Sequence, residues 1–93
     1  MNPAKRKGLL NEWRSRDLLI AAGYKVTRAG GSLGAWDLIG ISATEVVLVQ
    51  VKTRAWPGSF EMTTMRRFPA PRCCRKIIHR WRRYARQPDV KEV

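Results

Sequence analysis

The chain has no apolar run approaching the roughly 20 residues of a membrane span. Its start, MNPAKRKG, is basic but leads into Leu9, Leu10, Asn11, Glu12 and Trp13 rather than an uninterrupted apolar core, so no signal peptide is expected. Cysteine is scarce. Cys73 and Cys74 are adjacent, a bond between neighbours closes a strained ring, and no second CxxC supports a zinc site. Free thiols in a reducing, cytoplasmic compartment are expected, or the host cytoplasm for a phage-encoded protein. The one histidine, His79, has no His or Cys at ligand spacing and reads as structural. Neither GxGxxG nor Walker spacing occurs, so the glycines make no nucleotide fingerprint. Acidic residues are few, 7 against 19 Lys and Arg, for a formal charge of +12. A ribosomal-type or membrane-surface protein can share that balance, but its size points first to a polyanion, nucleic acid above all.

What is present fits one domain. A chain of 93 residues holds a single small core and buries roughly 60–65% of its unfolded surface, so its stability is modest unless it oligomerises. Residues 1–7, with Lys5, Arg6 and Lys7 and no apolar pattern, read as a mobile basic arm. Residues 8–22 read as a helix with Leu9, Trp13 and Ile20 on its apolar side, Leu10 and Ala21 beside them, and Gly23 as C-cap. Glu12 and Arg16 stand at the i,i+4 spacing of a surface pair. Three short strands are expected at about 24–28, 36–41 and 45–53, forming an antiparallel meander because only short connections separate them. A glycine-rich loop with Gly30, Gly31, Ser32 and Gly34 joins the first two. A helix over about 59–67, capped by Ser59, is ended by the prolines of FPAPR. Residues 75–93 read either as a helix with Arg on all sides, ended by Pro88, or as strands.

Within the third strand, Val46, Leu48, Gln50 and Lys52 share one face, and Val47, Val49 and Val51 the other. A buried strand excludes unpaired charge, so Asp37, Gln50 and Lys52 in this apolar stretch require a reason. Asp37 begins the adjacent strand and can reach the same end of the sheet. A carboxylate oxygen, an amide oxygen and an ammonium then converge: the oxygens suit a hard cation such as magnesium, the ammonium suits water or phosphate.

The run D-L-I-G…V-V-L-V-Q-V-K-T resembles the PD-(D/E)XK nuclease signature, with Asp37 as first acid and Gln50-Val51-Lys52 at the (D/E)xK position. Upstream, Lys7-Gly8, Glu12, Gly23 and Arg28-Ala29-Gly30-Gly31-Ser32 are similar in order and spacing to the start of the archaeal-type Holliday junction resolvases. The likeness covers about residues 7–54. It implies an α/β, restriction-endonuclease-like fold, a central mixed β-sheet flanked by helices, and therefore strands rather than helix after residue 75.

The same resemblance implies a magnesium-dependent endonuclease, with manganese as substitute, that resolves branched DNA (four-way junctions) by paired symmetric nicks as a homodimer. Its catalytic set would be Glu12, Ser32, Asp37, Gln50 and Lys52. Glu12, Asp37, Gln50 and the Val51 backbone carbonyl would hold the metal, and Ser32 with Arg28 would meet the scissile strand. Two departures stand out: Gln50 replaces the usual Glu, as in other members of the wider superfamily, and the loop from Ser32 to Asp37 is one residue longer. From residue 66 to 86 there are nine basic residues and no acid, a density that suits phosphate contact. The expected DNA-binding residues are Lys5, Arg6, Lys7, Arg28, Ser32, Arg54, Arg66, Arg67, Arg80, Arg82 and Arg83. Another nuclease of this superfamily (flap, nick or restriction type) and a non-catalytic DNA-binding module, with Gln50 as a sign of decay, stay open.

Overall fold

The computed structural model describes residues 3–31 and 33–93. The elements are α1 (Pro3–Ala21), β1 (Lys25–Arg28), β2 (Leu38–Ile41), β3 (Val46–Thr53), α2 (Ser59–Arg67), β4 (Cys74–Trp81) and β5 (Asp89–Glu92). The strands make one five-stranded sheet in chain order. Pairing is antiparallel except between β3 and β4, which run parallel. Parallel neighbours need a crossover, and α2 supplies it. The result is the expected mixed α/β sheet with helices on its faces, and the ambiguous C-terminal stretch forms strands.

The basic start of the chain differs from expectation. Helix α1 begins at Pro3, a residue suited to a first helical turn, so Lys5, Arg6 and Lys7 ride on a helix rather than in a mobile arm. Met1 and Asn2 lie outside the described residues. The other end is as expected. Gly23 takes φ 101°, and the Tyr24 N–H donates to the Leu19 carbonyl at 3.1 Å, the six-to-one bond of a Schellman ending.

The buried face of α1 also departs from its apolar periodicity. Leu10, Trp13 and Ile20 are 49%, 44% and 51% exposed. Buried instead are Asn11, Ser15 and Leu19, spaced i, i+4, i+8. The sheet beneath explains the choice, because β3 and β4 present Thr53, His79 and Trp81 to this helix. Asn11 Nδ2 donates to Thr53 Oγ1 at 2.8 Å. Ser15 Oγ accepts from Trp81 Nε1 at 2.8 Å and lies 2.9 Å from His79 Nδ1. Large apolar side chains at those positions would leave buried polar atoms unpaired, at about 1–3 kcal/mol each.

Both faces of β3 are covered, and its side chains divide as alternation requires. Val47 and Val49 pack with Leu19, Leu38 and Ile77 towards α1. Leu48 packs with Trp36, Met65 and Ile78 on the other face. Helix α2 is capped at Gly58 without a side-chain hydrogen bond, so Ser59 is its first helical residue and not its cap.

Gly40 sits where two side chains pack closely against the backbone. It pairs with Val47 across β2 and β3, and a Cβ there would fall 2.8 Å from Val47 Cγ1 and 3.2 Å from Tyr24 Cβ. Gly40→Ala is expected to destabilise the fold by about 1–3 kcal/mol, which lowers the melting temperature by ~4–8 °C per kcal/mol in a domain this small. Thermal unfolding by circular dichroism measures it, and an unchanged Tm would refute the close packing.

Candidate active site

The site lies where β2 begins and β3 runs on past it. Asp37 directly precedes β2, and its backbone is tied on both sides: its N–H donates to the Val49 carbonyl and its carbonyl accepts from the Ala29 N–H, each at 2.9 Å. Beyond this point β3 has no β2 partner on that edge. The Asp37 carboxylate fills the gap, with Oδ2 accepting the Val51 N–H at 2.7 Å. The N–H and C=O of one strand residue point to the same side, so the Val51 carbonyl opens towards Asp37 as well.

Charged groups from α1, β1 and β3 act on this carboxylate. Burial pushes the Asp37 carboxyl above the usual range, and the Val51 N–H opposes that. Glu12 adds to the upward shift through its charge, while Lys52 and Arg28 pull downward. The structure thus brings Glu12, Arg28 and Lys52 within electrostatic reach of Asp37. Glu12 is not paired with Arg16. It is ion-paired with Arg28 of β1 at 3.0 Å, and Arg16 is paired with its neighbour Asp17.

Gln50 is buried at 5% exposure, and its two amide ends differ sharply. Nε2 donates to Glu61 Oε2 at 3.0 Å, whereas Oε1 is buried without a hydrogen-bond partner among the described residues. Lys52 Nζ reaches the same carboxylate, 3.3 Å from Oε1 and 3.0 Å from Oε2 of Glu61. The Lys52 ammonium, with the Gln50 amide adding to it, holds the Glu61 carboxyl below the usual range. Glu61 was absent from the expected set. Its sequence neighbourhood, SFEMTTM, carries no motif, and only the packing of α2 on the Gln50–Lys52 face reveals it.

Among the described residues no three His, Cys, Asp or Glu side chains cluster to hold a metal. A cation here would draw instead on the Asp37 carboxylate, the Gln50 amide oxygen and the Val51 carbonyl. Those are hard oxygen donors, and an orphaned buried Oε1 is the kind of atom that a cation would satisfy. The residues therefore fit such an ion. Ser32 lies outside the described residues.

No family model and no curated protein matches the sequence. A solved structure of Hjc, a Holliday junction resolvase from the archaeal hyperthermophile Archaeoglobus fulgidus, superposes with a TM-score of 0.69. The match covers 85% of this chain and 67% of that one at 18% identity. The chain shares the fold of an archaeal Holliday junction resolvase.

On this fold the basic residues separate into distinct groups. Lys7, Arg54, Arg82 and Arg83 line one groove beside Trp81 and Tyr84. Arg14 joins them there. It was not among the expected DNA-binding residues, and it stacks 3.9 Å over the Trp81 ring, a contact between segments far apart in sequence. Lys5 and Arg28 border a second hollow with Glu12. Arg6 is exposed on α1, and Arg66 and Arg67 are exposed on the last turn of α2. Arg80 and Arg82 both pair with Asp89, which offsets part of the charge they would offer a phosphate. Among the described residues no helix is long and apolar enough to cross a membrane.

Proposed function

We propose that the chain is a magnesium-dependent, structure-selective DNA endonuclease that resolves four-way junctions by paired symmetric nicks as a homodimer. The observation that carries the reading is the gap beside β3, where Asp37 meets the Val51 backbone and the preceding residue, Gln50, holds a buried oxygen without a partner among the described residues. The resolvase fold and the +12 charge agree with it. Magnesium, or manganese in its place, would supply Lewis-acid charge at the scissile phosphate and acidify a bound water. Lys52 holds the attacking water and faces the charge that develops on the phosphate. Glu12 contributes a second carboxylate from α1, and its partner Arg28 meets the cleaved strand. Lys7, Arg14, Arg54 and Arg83 track the phosphate backbone.

A four-way junction has near two-fold symmetry, and two matched nicks require two sites. One site per subunit implies a C2 dimer. The exposed Leu10, Trp13 and Ile20 of α1 offer apolar surface for a second copy of the chain. The test is cleavage of a labelled four-way junction beside matched linear duplex, with magnesium and with EDTA. Symmetric paired nicks confined to the junction and abolished by EDTA are expected. Equal cutting of duplex would remove junction selectivity. Tight binding without any cut would make the chain a binding module.

A further inference from the structure

The amide at position 50 brings an oxygen to the site but no charge, and α2 places a carboxylate directly behind it. We infer that Glu61 is a positioning residue of the cation site: it locks the Gln50 amide with Oε1 turned away from Glu61 and supplies the negative charge that an amide lacks. The inference rests on the cation-dependent reading above. Gln50 Nε2 donates to Glu61 Oε2 at 3.0 Å. An amide whose NH2 end is held by a carboxylate cannot turn that end elsewhere, so Oε1, buried and unpartnered, is directed away from Glu61 as a free acceptor. Lys52 Nζ stands 3.0 Å from the same Oε2, so one carboxylate fixes both the amide and the ammonium. The pairing also accounts for the amide itself. A glutamate at position 50 would set two carboxylates within hydrogen-bond distance, where like charges repel. Gln50 and Glu61 thus act as one acid and one amide whose places are exchangeable.

The test is manganese binding by isothermal titration calorimetry on the full chain, without DNA, with thermal melts to verify folding. Wild type, Glu61→Gln, Glu61→Ala and the exchanged pair Gln50→Glu/Glu61→Gln are compared. Groups that orient metal ligands change affinity by about 10–100-fold when removed, and a loss in that range is expected for both single variants. The exchanged pair is expected to return to within about threefold of wild type, because it restores one acid and one amide at the same contact. Wild-type affinity in Glu61→Gln and Glu61→Ala would overturn the inference while leaving the cation site in place. So would an exchanged pair that binds no better than Glu61→Gln. A lowered melting temperature with unchanged affinity would make Glu61 merely structural and overturn it too. No manganese binding by wild type would overturn both the inference and the reading beneath it.

Discussion

Asp37→Asn is expected to reduce junction cleavage by at least about a hundredfold while leaving the melting temperature at pH 7 unchanged or higher. Residues that only orient metal ligands already change activity by about 10–100-fold, so loss of the carboxylate itself should exceed that. The stability half follows from the environment. Burial raises the Asp37 carboxyl above its usual range, with the Glu12 charge acting in the same direction, and the Val51 N–H, Lys52 and Arg28 only in part oppose it. A raised folded-state value means that ionising this group near neutral pH costs folding stability, which rises again as pH falls through that value. Asn removes the charge and keeps an oxygen that can still accept the Val51 N–H. The measurement pairs single-turnover cleavage with a thermal melt. Undiminished cutting would remove Asp37 from the chemistry. Lost cutting accompanied by a large fall in Tm would make the carboxylate a structural strut.

That opposition between local stability and chemistry is why the site could be sensed from the sequence at all. Asp37, Gln50 and Lys52 are out of place in an apolar stretch, and alternation along β3 already puts Gln50 and Lys52 on one face. The same alternation assigned Val47 and Val49 to one core layer and Leu48 to the other. Short connections fixed the antiparallel β1–β2–β3 meander, and the Ser59–Arg67 helix was legible from its flanking prolines. Contacts between elements distant in sequence were not legible. Glu61 reaches Gln50 and Lys52 because α2, the crossover to a parallel strand, lies on the Gln50 face, and nothing within its own segment announces that. Helix α1 shows the opposite error. Its apolar side chains suggested a buried stripe, but the sheet beneath it exposes polar atoms, and Asn11 and Ser15 satisfy them.

The buried polar cluster beneath α1 makes the largest stability prediction. Ser15 is fully buried, and His79 and Trp81 are 5% and 2% exposed. The Ser15 hydroxyl accepts from Trp81 Nε1 and meets His79 Nδ1. Ser15→Ala leaves both ring nitrogens without that partner and is expected to cost about 2–6 kcal/mol, from two orphaned groups at about 1–3 each. His79 adds a pH dependence of definite sign. Burial lowers its folded-state value from 6.5 to about 4, so between those limits the unfolded chain binds a proton that the native state refuses. Stability is therefore full above pH 6.5 and is lost as pH falls towards 4, by about 3 kcal/mol at 1.36 kcal/mol per unit. Denaturant unfolding measured at pH 7, 6, 5 and 4 reads this slope. His79→Asn removes the titrating ring but keeps a side-chain oxygen that can meet Ser15, and the loss between pH 6.5 and 4 should shrink accordingly. An equally steep acid loss in His79→Asn would assign the slope to other groups and remove His79 as its cause.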